Sequence, residues 1–364
     1  SEDTYRTLMA ADSAVMVIDA SKGVEAQTRK LFKVCVMRHI PIFTFINKMD
    51  REARDTFELL DDIEKELGIA TCPVNWPIGS GKAFKGVYDR EHREIELFSD
   101  TQKGTKMGEV KKISLDDPEL STLIEEDALS LLEEEVELLD GASAEFDQEL
   151  VSKGELSPVF FGSALTNFGV ETFLQHFLSM TSSPLPRKSD KGEIDPMTEK
   201  DFSAFVFKIQ ANMNKAHRDR IAFMRICSGE FEAGMEVYHM QGGRKVRLSQ
   251  PQQMMASERK MVEKAYGGDI IGVFDPGIFS IGDTLTTSAE RFCYEGIPTF
   301  APEHFARVRQ VDTMKRKQFI KGINQIAQEG AIQIFQEYNT GMEEIIVGVV
   351  GVLQFDVLKY RQIG

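Results

Sequence analysis

The chain has 364 residues, of which 42% are hydrophobic, so two or three domains with full cores are possible. Its net charge of -15 at pH 7 makes it acidic, and no apolar run is long enough to span a bilayer. No signal peptide is visible, although Ser1 is not a natural first residue. We expect reduced, partly buried thiols in a cytoplasmic protein, because the four cysteines lie far apart without metal-ligand spacing. They are Cys35, Cys72, Cys227 and Cys293.

The acidity is concentrated in the first 200 residues. Between Lys112 and Lys153, fourteen Asp and Glu residues occur without any Lys or Arg. Such a stretch repels nucleic-acid phosphate, so any nucleic-acid contact is expected in the near-neutral later part of the chain. Each basic cluster there, taken alone, is more simply interpreted as solvated surface charge. The clusters are Arg218 with Arg220, Arg307 with Arg309, and Lys315-Arg316-Lys317 with Lys321.

Residues 1–181 alternate buried strands with amphipathic helices. Strand, helix, strand, helix is the order of a doubly wound parallel sheet. Gly68 marks the end of one of these helices. The predicted elements are a helix over 4–11, a strand over 14–20, a helix over 25–37, a strand over 40–46, a helix over 55–67, a strand over 157–161 and a helix over 170–180.

An insertion of about residues 73–152 interrupts this pattern. Its first part, to residue 113, has short alternating stretches that predict a hairpin or small sheet. Residues 120–139 predict one acidic amphipathic helix, with its charged side in solvent and remote from the strand ends described below. The apolar positions of that helix are Leu120, Leu123, Ile124, Leu131, Val136 and Leu139.

One segment of the insertion, Gly79-Ser80-Gly81-Lys82, resembles part of a phosphate-binding loop. A P-loop needs a Gly five residues before its Gly-Lys pair and a Ser or Thr after the Lys. Trp76 and Ala83 stand at those positions. We therefore predict a tight turn here.

The stretch Asn47-Lys48-Met49-Asp50 directly follows the buried strand over 40–46. Open α/β sheets bind ligands at the carboxyl ends of their strands. An Asp can accept hydrogen bonds from the ring N–H and the amine of guanine, a Lys stem can cover the base, and an Asn can brace a neighbouring loop. The sequence thus indicates a guanine site. The simpler alternative is a polar strand-to-helix turn in which Asp50 caps the helix.

Gly162-Ser163-Ala164-Leu165 follows the next predicted strand of the sheet. Backbone N–H groups in such a turn can hydrogen-bond a carbonyl oxygen of a base. We predict that Asn47, Asp50, Ser163 and Ala164 line one pocket at adjacent strand ends, although they lie far apart in the chain.

Three further segments follow the first domain. Residues 182–201, rich in Pro and polar side chains, predict a linker. Residues 202–298 carry short alternating strands separated by glycines, the pattern of a β-barrel. Residues 299–364 predict strand, helix, strand, strand and helix, which is the opening of a ferredoxin-like α+β domain.

At this level of detail the chain resembles the release factor 3 family of translational GTPases over nearly its whole length. The insertion motifs are more specific to that family than the Asn-Lys-x-Asp stretch, which most GTPases share. The motifs that carry the resemblance are Ser1 to Leu8, Val17-Ile18-Asp19-Ala20 with Gly23-Val24-Glu25, Asn47 to Arg51, Trp76-Pro77-Ile78-Gly79, Phe84 to Tyr88, Phe161 to Leu165, Phe207 to Met213, His217 to Arg220, and Gly348 to Asp356.

The resemblance implies a P-loop-GTPase-like α/β parallel sheet domain, then a β-barrel domain and a partial ferredoxin-like domain. It implies a cytoplasmic, monomeric GTPase that binds the ribosome, through rRNA and ribosomal proteins, and ejects class I release factors after peptide release. The implied cofactors are GTP or GDP, possible guanosine tetraphosphate, and Mg²⁺. The implied guanine-nucleotide-binding residues are Asn47, Lys48, Met49, Asp50, Ser163, Ala164 and Leu165.

The chain departs from the family pattern at three places. The P-loop, first switch and Asp-Thr-Pro-Gly-His segment are expected before Ser1, so we assign no catalytic or metal-binding residue here. Asn214-Lys215-Ala216 replaces the usual Asp-Pro-Lys, and the third domain is expected to be incomplete. Two alternatives remain open: an elongation factor G-like or ribosomal-protection GTPase, and a non-catalytic ribosome-binding module that senses guanine nucleotides.

Overall fold

The computed structural model describes residues 2–37, 39–98, 110–211, 220–249, 251–255, 258–297, 299–310, 313–336 and 345–363. Arg218 and the Asn214-Lys215-Ala216 departure lie outside these described residues. The chain divides into two compact units, Ala11–Ser182 and a second unit that joins Ser1–Ala10 to Ser183–Gly364.

The strands of both units are numbered in chain order. They are β1 (Ala14–Asp19), β2 (Ile42–Asn47), β3 (Ala70–Pro73), β4 (Asn75–Ile78), β5 (Gly86–Asp89), β6 (Glu94–Phe98), β7 (Val110–Ser114), β8 (Leu156–Phe161), β9 (Arg187–Ser189), β10 (Gly192–Ile194), β11 (Ser203–Ala211), β12 (Arg220–Ser228), β13 (Glu230–Glu232), β14 (Glu236–His239), β15 (Arg244–Arg247), β16 (Gln252–Met255), β17 (Glu258–Met261), β18 (Lys264–Tyr266), β19 (Ile270–Phe274), β20 (Thr284–Thr286), β21 (His304–Val308), β22 (Gln333–Phe335) and β23 (Ile345–Val349).

The helices are numbered in the same way. They are α1 (Glu2–Met9), α2 (Ala26–Met37), α3 (Thr56–Leu67), α4 (Leu120–Leu123), α5 (Glu126–Ala142), α6 (Gln148–Lys153), α7 (Val170–Met180), α8 (Arg316–Gln328) and α9 (Leu353–Ile363). Short 3-10 turns occupy Gly81–Ala83 and Thr313–Lys315. Within the described residues, none of the helices has the length and apolar character needed to cross a membrane.

The unit Ala11–Ser182 is built on a parallel sheet of strand order β1-β2-β8-β3. Every residue of β8 is buried, and so is every residue of β2 except the last. Strands of parallel sheets that are covered on both faces have such continuous apolar runs, which is why the sequence located them. Phe43, Phe45 and Phe160 pack with Phe173 of α7 in one core cluster. The predicted doubly wound pattern of strands and helices is confirmed.

The insertion forms an antiparallel sheet of order β4-β5-β6-β7, which confirms the predicted small sheet. Its acidic stretch is helical and mostly exposed, as predicted, but it is not one helix. Ile124 is extended (φ -124°, ψ 140°) and buried, and it separates α4 from α5. The expected apolar face was also wrong at two positions, because Leu123 and Leu131 are exposed. Leu132 is buried where Leu131 was expected.

One acidic side chain of α5 points inward. Glu135 accepts a hydrogen bond of 2.7 Å from Nε1 of Trp76, whose side chain is fully buried. Burial raises the pKa of the Glu135 carboxyl, and the Trp76 hydrogen bond opposes that rise. This contact fastens the acidic helix to the insertion sheet.

The larger part of the second unit is an antiparallel sheet of order β15-β14-β20-β11-β12-β19-β16-β17, accompanied by the pair β13-β18. Its buried side chains, such as Val206, Met224 and Phe231, form one core cluster. This agrees with the predicted barrel. The predicted linker is not wholly irregular, because β9 and β10 pair within it as a short hairpin.

The last segment has the order β21-α8-β22-β23-α9, the predicted strand, helix, strand, strand and helix. Its antiparallel sheet has β23 between β21 and β22. Ile323 and Ile326 of α8 pack with Val347 of β23 in a separate core cluster. Amphipathic periodicity in α8 was therefore a reliable guide to this fold.

The first helix differs from the prediction, which placed it with residues 11–181. Residues 1–10 are grouped with the second unit. The buried guanidinium of Arg6 donates to the carbonyl oxygen of Gly330 at 3.1 Å, just beyond the carboxyl end of α8. Tyr5 packs edge-on against Phe300 with ring centroids 4.9 Å apart. A cation at a helix carboxyl terminus is favourable, and no local sequence pattern predicts this long-range contact.

The Trp76–Glu135 contact predicts a measurable contribution to stability. We expect Glu135→Ala to lower the free energy of unfolding by about 1–2 kcal/mol, because the buried Trp76 N–H loses its acceptor. Glu134→Ala, at the exposed neighbouring position, is the matched control and should change stability by about 0.5 kcal/mol or less. Urea unfolding followed by Trp76 fluorescence measures both. Equal effects of the two substitutions would contradict the prediction.

Candidate functional site

Three loops meet at the carboxyl edge of the parallel sheet. The strands β1, β2 and β8 are adjacent and parallel, so their ends lie side by side. Asp19 pairs in register with Asn47, and Ile46 pairs with Phe161. The polar residues that follow these strands are therefore brought together by the register of the sheet.

The Asn47 side chain joins two of these loops. Its Oδ1 accepts from the backbone N of Lys48 at 2.8 Å and from the backbone N of Ala164 at 2.9 Å. The backbone of the same loops is also paired, because Met49 N donates to Gly162 O at 3.1 Å. The structure therefore contains the contacts between loops that were predicted for the Asn47 side chain.

The Asp50 carboxylate is oriented by Ser163. Ser163 is fully buried, and its hydroxyl donates to Asp50 Oδ1 at 2.5 Å. Among the described residues, Oδ2 of Asp50 has no protein donor, so this oxygen can accept from a ligand. Asp50 is not the cap of the next helix, because Asp55 occupies that position and accepts from Glu58 N at 3.0 Å. The simpler alternative for Asp50 is therefore wrong.

Lys48 is held by a residue that the sequence analysis did not assign to the site. Its Nζ donates to Asp19 Oδ2 at 2.6 Å, and its backbone is left-handed with φ 73°. Oδ1 of Asp19 accepts from the backbone N and the hydroxyl of Ser21, at 2.9 and 2.7 Å. The hydrogen bond from Lys48, followed by those from Ser21, keeps the pKa of the Asp19 carboxyl well below its ordinary value. The sequence could have indicated this role of Asp19, because the residue lies at the end of the predicted buried strand that became β1.

Met49 and Leu165, which were also predicted for the site, differ in their exposure. Met49 is buried, with 1% of its surface exposed, so only its backbone faces the neighbouring loops. Leu165 is 67% exposed. The N–H groups of Ser163 and Ala164 donate to Phe168 O and Asn47 Oδ1. Among the described residues, the next amide, that of Leu165, has no acceptor, so it can donate to a ligand.

The turn at Gly79–Lys82 belongs to this region, although it is not a phosphate loop. The backbone N of Gly81 donates to Met49 O at 2.8 Å. Gly81 has φ 59°, and a Cβ atom there would lie 3.3 Å from the backbone N of Glu52. The predicted tight turn is confirmed, and its contact with the Asn-Lys-Met-Asp loop was not predicted.

Comparisons with known proteins agree with this fold in all three segments. The model of the elongation factor Tu GTP binding domain matches residues 1–183. The model of elongation factor G domain 2 matches residues 201–288. The model of the class II release factor RF3 C-terminal domain matches residues 294–362. A protein of solved structure from Thermus thermophilus aligns with TM-score 0.75 over 99% of this chain and 53% of that chain, at 20% identity, which shows the fold alone.

The parallel sheet with its Asn-Lys-x-Asp strand end, the barrel and the α+β domain together define a translational GTPase fold. A peptide chain release factor 3 of Symbiobacterium thermophilum is 59% identical over 361 residues. Another, from Gloeobacter violaceus, is 53% identical over 361 residues. The matches cover 99% of this chain and 68% of each relative. The chain belongs to the peptide chain release factor 3 family.

The Asn47 contacts predict how the loop responds to their loss. Asn47→Ala should lower the free energy of unfolding by about 1–2 kcal/mol, because two backbone N–H groups lose one acceptor. The amide of Ala164 should also exchange its hydrogen faster, which is measured by hydrogen exchange with mass spectrometry. Unchanged exchange at Ala164 would contradict the bracing role.

The Asp19–Lys48 pair predicts that the free energy of unfolding depends on pH. The folded-state pKa of Asp19 is depressed, so its stabilisation is complete above the unfolded pKa of about 3.9 and declines as pH falls below that value. We expect Asp19→Asn to cost about 1 kcal/mol or less at pH 7, because the Lys48 side chain is 42% exposed. Urea unfolding at pH 7, 5, 4 and 3 measures the free energy of unfolding of wild type and of Asp19→Asn. The difference between the two should become smaller as the pH falls. A pH-independent difference would rule out the ion pair as its cause.

Proposed function

We propose that Asn47, Lys48, Asp50, Ser163 and the Leu165 amide form the guanine-binding pocket of this translation factor. The observation that carries the proposal is the Ser163–Asp50 hydrogen bond. It leaves the second carboxylate oxygen of Asp50 open at the edge of the sheet. A carboxylate that accepts from a ring N–H and an exocyclic amine selects guanine, because only guanine presents both donors together.

In this pocket each side chain has one task. Asp50 accepts from the base, Lys48 lies across the base and ribose while Asp19 holds its ammonium, and Asn47 fixes both loops. Leu165 supplies its backbone N–H to the base carbonyl, and its exposed side chain borders the pocket. Asp19 is paired with Lys48, and the open oxygen of Asp50 is assigned to the base, so we assign none of the described pocket residues to Mg²⁺.

The function that family membership supports is translation termination by a GTP-binding factor. We extend the proposal to GTP hydrolysis with Mg²⁺, and to release of class I release factors from the ribosome after peptide release. GTP and GDP, with guanosine tetraphosphate as a further guanine ligand, are the proposed nucleotides. A cytoplasmic monomer is the proposed state. The elongation factor G-like and sensor alternatives are not favoured, since the residues 294–362 match the release factor model.

The second unit offers a surface suited to ribosomal RNA. A groove of about 1330 Å³ is lined by basic side chains of the predicted clusters. Phosphate contacts dominate the affinity of proteins for nucleic acids, and Arg and Lys supply them. Arg220 is partly committed, because its Nε donates to Asp275 Oδ2 at 2.6 Å. The other basic residues of the lining are Arg307, Arg309, Lys315, Lys321, Lys359 and Arg361.

The test of the pocket is a change of base specificity, with the protein expressed at the length of its relatives. Asp50→Asn replaces one acceptor by a donor and leaves the guanine N1–H unpaired, so GDP affinity should fall at least about tenfold. Xanthosine diphosphate affinity should rise, because xanthine has an accepting oxygen at C2. A binding titration of both nucleotides measures this.

The matched control is Asp61→Asn, an exposed change on α3 that should leave both affinities unaltered. GDP binding by Asp50→Asn that equals wild type would exclude Asp50 from the base pocket. Family membership would then be the only support for nucleotide binding.

A further inference from the structure

A second cluster of polar side chains lies in the unit Ala11–Ser182, away from the Asn-Lys-Met-Asp loop. Asp89 is the last residue of β5, and His92 lies in the turn between β5 and β6. His176 is on α7. One ligand atom from each of the three lies within 4.8 Å of the others. The cluster therefore joins the insertion sheet to a helix of the parallel-sheet fold.

The His176 ring is in an unusual environment for a neutral histidine. It is buried, with a side chain 4% exposed, and both of its nitrogens face carboxylates. Nε2 lies 2.9 Å from Asp89 Oδ2, and Nδ1 lies 2.9 Å from Glu91 Oε2. A neutral imidazole has only one N–H, so one nitrogen would direct its lone pair at a carboxylate oxygen. A metal ion between Nε2 and the Asp89 carboxylate would remove this unfavourable contact.

Asp89 supplies the carboxylate of this arrangement. Its Oδ2 also lies 2.9 Å from Nδ1 of His92. Oδ1 accepts from the backbone N of Glu91 and of His92, at 3.0 and 3.1 Å. The carboxylate is thus fixed with one oxygen directed at two imidazoles.

We propose that Asp89 Oδ2, His92 Nδ1 and His176 Nε2 form a site for a divalent transition-metal ion such as Zn²⁺. Two imidazole nitrogens and one carboxylate oxygen are ligands that Zn²⁺ prefers, with a fourth position open to water. Glu91 completes the arrangement, because its carboxylate accepts from His176 Nδ1–H and so fixes the tautomer that presents Nε2 to the ion.

An ion can reach this site from solvent, and its binding would link two elements of the fold. The His92 side chain is 58% exposed, so the ion can enter from solvent beside it. Movement of the exposed His92 side chain, with a small adjustment of the buried His176 ring, would bring their 2.9 Å contacts with Asp89 to the ligand spacing of a metal centre. A bound ion would fasten the β5–β6 turn to α7. This proposal does not rest on guanine binding.

The test is metal titration of the protein after treatment with EDTA and dialysis into metal-free buffer. Calorimetry should show one Zn²⁺ per chain with Kd about 10 μM or tighter. Co²⁺ should give visible absorption typical of nitrogen and oxygen ligands, without the charge-transfer band of a thiolate. Saturating Zn²⁺ should also raise the melting temperature, because only the folded chain presents the three ligands together.

The variant His92→Ala removes an exposed ligand, so the protein should still fold, and Zn²⁺ affinity should fall at least about tenfold. The control His304→Ala removes an exposed histidine on β21 and should leave Zn²⁺ affinity unchanged. Absence of Zn²⁺ binding to wild type, or equal affinity in wild type and His92→Ala, would overturn the proposal. In that case the three side chains form a hydrogen-bonded network without a metal ion.

Discussion

The buried strand β2 needs hydrogen-bond partners on both of its edges, and the rest of the parallel-sheet unit depends on how that need is met. A backbone group that is buried without a partner costs several kcal/mol in an apolar environment, about as much as a lost hydrogen bond. Parallel pairing with β1 and β8 satisfies both edges in one register. That register leaves Asp19, Asn47 and Gly162 at the same end of the sheet.

The pocket is held by the same kind of contact that holds the fold. Asn47, Ser163 and Asp19 use hydrogen bonds within the protein to fix the groups that we propose contact guanine. Groups that are fixed before binding lose little conformational entropy when a ligand arrives. The left-handed backbone of Lys48 fits this view, because surrounding contacts maintain such a conformation where function uses it.

Much of the architecture was predictable because its signals are local. Continuous apolar runs located β2 and β8, and helical periodicity located α3, α7 and α8. The features that escaped prediction depend on distant partners: the Asp19–Lys48 pair, the Gly81–Met49 hydrogen bond, and the packing of α1 with the second unit. The break at Ile124 and the exposure of Leu131 were not predicted, for a related reason. Adjacent leucines give the same periodicity in two registers, and only the core that covers the helix selects one.

The hydrogen bond from Gly81 N to Met49 O links the insertion to the loop that carries the proposed guanine pocket. Any molecule that binds the insertion and favours one conformation of residues 47–50 changes nucleotide affinity by a fixed factor. Because linkage is reciprocal, the nucleotide then changes the affinity for that molecule by the same factor. Such coupling between a surface domain and the proposed pocket would run through a backbone hydrogen bond, without a charged or catalytic group.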